Sequence, residues 1–367
     1  MGVRRGAVGD LGAAGVSLAD ESFWRGRRVL VTGHTGFKGA WLCLRLAGLG
    51  ANVTGLALEP PTSPSLFDLA EVGRTLEDRR GDIRHDADVR AAIDAARPEV
   101  VFHLAAQALV RTGLAEPLAT LDANIMGAAR VLEALRGGEV KAVVVVTSDK
   151  VYLNKNDGRA FREDDPLGGD DPYSGSKSAA EMIVRIYRES FGLPVVSARA
   201  GNVVGGGDFA AERLLPDAWR AFSGDQTLTL RQPQATRPWS HVLDIVEGYL
   251  LYAEAVFADR ADLPAALNFG PAPDAPPLTA LETTKIFAAA LGRRLDWRQD
   301  PTPFTEKTQL AIDSRAARAA LGWSERFAGA EAVKATAAWY AAFADGADPA
   351  ALSRALARYQ ISPAAAS

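Results

Sequence analysis

The feature that most constrains this chain is a repeated alternation of short apolar runs with longer stretches of helical periodicity. Arg28-Val29-Leu30-Val31-Thr32 is β-branched and ends at Gly33. The segment from Ala40 to Leu49 places apolar residues at helical spacing and closes on Gly50, a glycine stop. Further strands are predicted at 52–58, 100–104, 142–146 and 195–200, and further helices at about 118–135 and 174–191. Short apolar strands joined by helices imply crossover connections and a parallel sheet covered on both faces. The expected fold class is α/β: a Rossmann-like doubly wound parallel sheet with a smaller C-terminal α/β substrate-binding domain.

The 367 residues exceed what one hydrophobic core usually serves, so a second unit is expected. The expected division is a flexible leader at 1–22, a nucleotide-binding domain at 23–200, a mainly substrate-binding domain at 201–345 that partly returns to the sheet, and a helical tail at 346–367. The proline-dense run at 263–277 reads as the clearest linker. Hydrophobic residues at 48% and charged residues at 23% exclude disordered and coiled-coil classes. Lys and Arg number 41 against 45 Asp and Glu, a net charge of -4, so no nucleic-acid partner is expected. No apolar run approaches a bilayer span, and the leader lacks the apolar core of a secretory signal. A single cysteine, Cys43, fits a reducing compartment, so a cytoplasmic location is expected.

Thr32-Gly33-His34-Thr35-Gly36-Phe37-Lys38-Gly39 lies between the first strand and the first helix. A pyrophosphate needs such glycines for a tight turn and close backbone approach, and a helix N-terminus supplies aligned N–H groups. Gly33, Thr35, Gly36, Phe37 and Gly39 are therefore candidate dinucleotide contacts. His34 and Lys38 sit in the same loop, where a packing role and a ligand contact are both open. An acid near the end of the second strand would bind the ribose hydroxyls of NAD and repel the extra phosphate of NADP. Strict alignment puts Ala57 there, with Glu59 two residues on; Glu59 is the candidate, and NAD the preferred cofactor.

Tyr173-Ser174-Gly175-Ser176-Lys177 places a phenol and an amine four apart at the start of a helix, on one face. An ammonium beside a phenol lowers its pKa from about 10, fitting Tyr173 to act as a general base on a substrate hydroxyl. Upstream, Thr147-Ser148-Asp149-Lys150 follows the strand at 142–146, at the end where sites form on such sheets. Ser148 offers a hydroxyl for a substrate oxygen. Asp149 and Lys150 add two ionisable groups, which implies proton transfers beyond those of an epimerase or reductase.

The Gly-x-x-Gly-x-x-Gly spacing resembles the extended short-chain dehydrogenase/reductase superfamily. On that resemblance Asp82 and Ile83 contact the adenine, Ala105, Ala106 and Gln107 line the cofactor, and Asn124 is the helix-bending asparagine. The run from Phe23 to about Phe343 resembles, more narrowly, the CDP-glucose 4,6-dehydratase family. Carrying that likeness are Phe23-Trp24, Gly33-His34-Thr35-Gly36-Phe37-Lys38-Gly39, the run from Pro61 to Phe67, Thr147-Ser148-Asp149-Lys150, the run from Ala200 to Asp208, and the run from Thr236 to Val242. Related dehydratases usually carry Asp-Glu where this chain has Asp149-Lys150.

The resemblance implies a hydro-lyase that removes water from CDP-glucose by internal redox through NAD, giving CDP-4-dehydro-6-deoxy-glucose. Ser148 would hold the sugar O4, Tyr173 take its proton, and Lys177 also bind the nicotinamide ribose. Asp149 would protonate the departing C6 hydroxyl; Lys150 either removes the C5 proton or stabilises the enolate. Asn202, Arg213, Arg237 and His241 match positions that hold the sugar nucleotide. Oligomerisation, as a homodimer or homotetramer, is implied through a helix pair that includes the Tyr173 helix. Gly113-Leu114 departs from the Ser-Tyr pair usual in the family, in a loop that borders the sugar. No metal site is expected, because the four histidines and one cysteine lack ligand spacing. Two readings compete: an epimerase or reductase on a related nucleotide sugar, and a catalytically silent NAD-binding sensor.

Overall fold

The computed structural model describes residues 17–301 and 307–359. Seven parallel strands form the central sheet: β1 (Arg28–Thr32), β2 (Asn52–Ala57), β3 (Glu77–Arg80), β4 (Val100–His103), β5 (Ala142–Val146), β6 (Val195–Ala200) and β7 (Ala266–Phe269). Their spatial order is β7-β6-β5-β4-β1-β2-β3. Register runs Val29 to Val53 on one side of β1 and Val29 to Val100 on the other. The strand order thus reverses at β1, where a crevice opens at the carboxyl ends of β1 and β4.

Alternation within β5 shows why such runs are apolar throughout. Ala142, Val144 and Val146 enter one core cluster, and Val143 and Val145 enter the other. The first face is covered by α1 (Phe37–Gly48), and the second by α2 (Asp86–Ala96), α3 (Gly127–Leu135) and α4 (Pro172–Phe191). Helix α4 starts sharply because Asp171 accepts from the Ser174 N–H at 3.0 Å and Pro172 fills the first turn. It stops at Gly192, whose φ of 66° suits a left-handed cap.

The last third differs from expectation. The stretch 263–277 is not a linker: it contains β7, which pairs with β6 over Ala266 to Phe269. After the short helix α5 (Leu214–Ser223), helix α6 (Val242–Phe257) is buried almost all round and packs against β5 and α1. The chain beyond residue 200 therefore completes both the sheet and its cover. What remains as the smaller unit is α5, the helices Ala280–Ala290 and Ala330–Ala344, and two-stranded ribbons such as Leu228–Leu230 with Trp297–Gln299. Trp219, Phe222, Phe287 and Tyr340 join those helices.

At the N-terminus an expectation is also corrected. Residues 17–22 are anchored: Ser17 N donates to Gly322 O at 3.1 Å, and Ala19 N donates to buried Glu247 at 2.6 Å. The rest of the expected leader lies outside the described residues. The expected tail docks through its helix Pro349–Ala357, with Tyr359 donating to Asp244. Its end, from 360 onward, also lies outside the described residues. The helix expected at 118–135 is interrupted by a π-turn at Asp122–Met126.

Candidate active site

Glycine spacing shapes the loop after β1. A Cβ on Gly39 would stand 2.1 Å from Gly33 O, so α1 can pack onto the turn only with glycine there. On Gly36, by contrast, a Cβ would meet only Gly33 O, at 3.4 Å, and would otherwise stand in the cavity. No side chain caps α1, so its first N–H groups remain available to an anion. This cradle fits the pyrophosphate of a dinucleotide.

The cavity measures about 810 Å³, within the range of small-molecule sites. Gly33, Thr35, Gly36, Phe37, Gly39, Glu59, Asp82, Ile83, Ala105, Ala106 and Gln107 all line it. Ser148, Asp149, Lys150, Tyr173, Lys177, Asn202, Arg213 and Arg237 line it as well. The fold thus brings nearly all sequence-predicted residues to one space.

Three placements differ. Asn124 is buried behind the wall: its side chain accepts from Gln107 N at 2.8 Å and donates to Gln107 O at 3.0 Å and to Ser176 Oγ at 2.8 Å. It fixes the loop beside the cofactor rather than touching the cavity. His241 is likewise buried; its Nδ1 accepts from Leu243 N at 3.3 Å, capping α6, and its ring lies 4.4 Å from that of Phe327. Burial drives its pKa down to about 3, so it is a neutral packing residue. His34 is buried too, with Nε2 2.8 Å from Asp78 Oδ1, which settles its open reading as packing.

The catalytic turn is held by local bonds. Ser148 Oγ donates to Asp149 Oδ1 at 3.1 Å and accepts from Lys150 N at 3.2 Å. The Tyr173 phenol lies beside Ser148, whose hydroxyl favours the ionised form. Gly201 lets Pro238 and Asp149 close on it: a Cβ there would sit 2.4 Å from Pro238 Cγ and 3.1 Å from Asp149 Oδ2. Burial raises the Tyr173 pKa, opposed by the Ser148 hydroxyl and by the charges of Lys150 and Arg213.

Lys177 follows Tyr173 by one turn of α4. Its Nζ donates to Val146 O at 3.1 Å, and burial lowers its pKa to about 8 while Glu181 opposes. That carboxylate, one turn along α4, also accepts from Thr147 at 2.5 Å, Ser197 at 2.6 Å and Arg199 at 2.8 Å. The departure at Gly113 has a local reason: a Cβ there would stand 3.2 Å from Tyr173 N.

At the two ends of the cavity the charges are arranged differently. Asp82 is held by Arg84, which keeps its carboxyl below the usual range. Glu59 is 78% exposed on the rim, 3.7 Å from Arg80 Nε. At the far end Arg213 precedes α5, with Nε 3.9 Å from Asp208 Oδ2, and Arg237 is buried in the strand Thr236–Arg237. Sequence reasoning missed Arg111 and Arg231, which line the same end and both bond to Glu212. Arg231 closes the alternating run Leu228-Thr229-Leu230, a signal that could have pointed to it.

The family model of the NAD dependent epimerase/dehydratase family matches residues 29–268, more than half of the chain. The chain belongs to that family. Among curated relatives, the CDP-glucose 4,6-dehydratase of Salmonella typhimurium is 39% identical over 342 residues, covering 90% of this chain and 95% of that protein. The UDP-glucose 4-epimerase of Mycolicibacterium smegmatis is 28% identical, over 84% of this chain and 97% of the relative. Among solved structures, the Thermus thermophilus UDP-glucose 4-epimerase complexed with NAD superimposes with a TM-score of 0.75. It is 26% identical and covers 85% of this chain and 98% of its own. These likenesses and the glycine cradle agree on NAD as the cofactor.

Proposed function

We propose that this protein is a CDP-glucose 4,6-dehydratase, an NAD-dependent hydro-lyase that converts CDP-glucose to CDP-4-dehydro-6-deoxy-glucose and water. The observation that carries the reading is the Asp149-Lys150 turn, bonded to Ser148 and facing the cavity that Tyr173 and Lys177 also face. An epimerase or reductase needs the hydroxyl, phenol and amine alone. The likeness to the Salmonella protein over nearly its whole length supports the same substrate class.

NAD, held by the glycine loop, would supply the hydride acceptor for C4 of the sugar and the hydride donor for C6. The protein's part is to hold and move protons. Ser148 bonds the sugar O4, and Tyr173 takes the O4 proton as the C4 ketone forms. The ketone acidifies the C5 proton, which leaves towards Lys150 and is given back to C5 as C6 is reduced, and Asp149 gives a proton to the C6 oxygen so that it departs as water. Arg213 and Arg237, with their planar two-pronged donors, suit the diphosphate of the substrate. Lys177 and the first turn of α1 hold the cofactor, and Glu59 on the rim favours NAD over NADP.

The outer faces of α4 and of the helical segment before it expose Met182, Ile186, Leu118 and Met126. These apolar patches support a homo-oligomer, a homodimer or homotetramer, built through that helix pair. Cys43 is buried and free, in keeping with a cytoplasmic enzyme. Incubation of the purified protein with CDP-glucose tests the function by the alkaline ultraviolet absorbance of a 4-keto sugar. Formation of that product, abolished by Tyr173→Phe with CDP-glucose binding retained, supports the reading. A changed sugar without loss of water would make the protein an epimerase; bound NAD with an inert substrate would make it a sensor.

A further inference from the structure

We propose that the buried Glu181–Arg199 ion pair is a positioning clamp for the elimination step, gripping the catalytic turn through the residues at its two ends, Thr147 and Tyr152. The inference rests on the dehydratase reading and deepens it, because it separates control of the elimination from control of the first hydride transfer. The turn, Asp149–Val151, is a single turn of 3₁₀ helix. Its own bonds are long: Lys150 N meets Ser148 Oγ at 3.2 Å and Val151 N meets Ser148 O at 3.4 Å. Where Asp149 and Lys150 stand relative to Tyr173 is therefore fixed from outside the turn.

At the first end, Thr147 Oγ1 donates to Glu181 Oε1 at 2.5 Å, and Thr147 N donates to Ala198 O of β6 at 2.9 Å. The other carboxylate oxygen accepts from Ser197 Oγ at 2.6 Å and from Arg199 Nη2 at 2.8 Å. At the second end, Arg199 Nη1 donates to the Tyr152 hydroxyl at 2.9 Å and to Glu163 O at 2.9 Å. That hydroxyl donates in turn to Asn268 Oδ1 of β7 at 2.6 Å. One carboxylate–guanidinium pair thus reaches both residues that flank Ser148, Asp149, Lys150 and Val151.

The arrangement points to positioning rather than to stability alone. Glu181, Arg199 and Tyr152 are buried and do not line the cavity, so they act on a substrate only through other residues. A buried ion pair is in itself a poor stabiliser, and apolar side chains of similar volume often serve as well or better. Tyr173, Lys177 and Glu181 follow one another at intervals of four on one face of α4. Lys177 donates to Val146 O and Glu181 accepts from Thr147, so α4 grips two successive residues and sets Tyr173 against Ser148. The Tyr152 end is reached through Arg199 instead, and it governs Asp149 and Lys150. A shift of about 1 Å in such groups can cost a hundredfold in rate.

The test compares wild type with Tyr152→Phe, Thr147→Val and Thr147→Ser, all loaded with NAD. In a single turnover with CDP-glucose, Tyr152→Phe should form reduced nicotinamide at the wild-type rate. Its water loss should slow by about tenfold or more, so that reduced nicotinamide accumulates. Its KM for CDP-glucose should hold. Thr147→Val should slow both steps, and Thr147→Ser, which keeps the hydroxyl, should restore them. A merely structural role would lower the melting temperature and slow both steps of Tyr152→Phe in equal proportion; that result, or wild-type water loss, overturns the proposal. So does a Thr147→Val enzyme at wild-type rates, or a Thr147→Ser enzyme no better than Thr147→Val.

Independently of turnover, the amides of Lys150, Val151 and Leu153 should exchange with solvent about tenfold faster or more in Tyr152→Phe, with β5 unchanged. Unaltered exchange at those three amides also overturns the clamp. If Tyr152→Phe does not fold, the comparison of Thr147→Val with Thr147→Ser decides by the same criteria. Wild-type protein that leaves CDP-glucose unchanged refutes the dehydratase reading; an active wild type with indifferent variants refutes only the clamp.

Discussion

Ser148 Oγ donates to Asp149 Oδ1 at 3.1 Å, so the hydroxyl and the carboxyl that the proposed mechanism assigns to two substrate oxygens are a single bonded unit. Ser148→Ala should therefore impair both the oxidation and the elimination, lowering kcat by roughly 10²–10⁴-fold. Ser148→Thr keeps the hydroxyl and should remain within about tenfold of wild type. Initial rates of 4-keto sugar formation measure both; a Ser148→Ala enzyme at full speed would remove the hydroxyl from the chemistry.

Arg237 is buried at the cavity wall and already bonds the carbonyls of Thr236 and Thr308. A charge-assisted contact to a phosphate contributes about 1.5–3 kcal/mol, so Arg237→Ala should raise KM for CDP-glucose by about tenfold or more. The kcat should change far less, because a contact to the diphosphate is equally present in the ground and transition states. Steady-state kinetics separates the two; an equal fall in kcat at constant KM would place Arg237 in the reaction itself.

Gly39→Ala should release the cofactor. The added methyl would overlap Gly33 O at 2.1 Å, and either the turn or the helix start must move. Nucleotide extracted from the purified variant should contain little NAD, and the dissociation constant measured by calorimetry should rise by about tenfold or more. Stoichiometric NAD in that variant would show that the cradle tolerates distortion.

Glu254 accepts from Trp24 Nε1 at 2.6 Å and from Asp20 N at 2.9 Å, and burial raises its pKa to about 7 from 4.5. A carboxyl whose folded pKa is raised binds its proton more tightly in the folded chain. Its favourable share is fully present below pH 4.5 and is lost as pH rises through about 7. Glu254→Gln preserves both accepted bonds and removes the titration. Relative to wild type it should gain about 1–3 kcal/mol on going from pH 4.5 to pH 8. Urea unfolding at the two pH values reads this directly, and equal differences at both would mean that the group is not desolvated.

How much of this was legible depended on whether local chemistry or the tertiary fold decided the matter. β5 is apolar at every position because both faces are covered, and the run Ala142 to Val146 announced it. β3 is Glu-Asp-Arg-Arg, an edge strand whose side chains are mostly exposed, so no hydrophobic pattern marks it. β7 lies among prolines, and only its pairing with β6 makes it a strand. Helix α6 is packed from nearly every side, so that even Asp244 and Glu247 are buried, which leaves it no periodic stripe. In the site, the glycine loop and the Tyr173–Lys177 spacing are local and could be read directly. Arg111 could not, and Arg231 only through the strand run it closes, since their value comes from a fold that sets residues far apart in sequence around one cavity.

Because β7 is drawn from Ala266–Phe269 and lies beside β6, the outer edge of the cofactor sheet is filled only by residues made late in synthesis. While a ribosome is still translating the middle of the chain, β6 presents an open backbone ladder to its surroundings. Nascent chains of this enzyme must therefore be shielded there until residues 266–269 emerge, and a stop before them would leave that sticky border permanently bare.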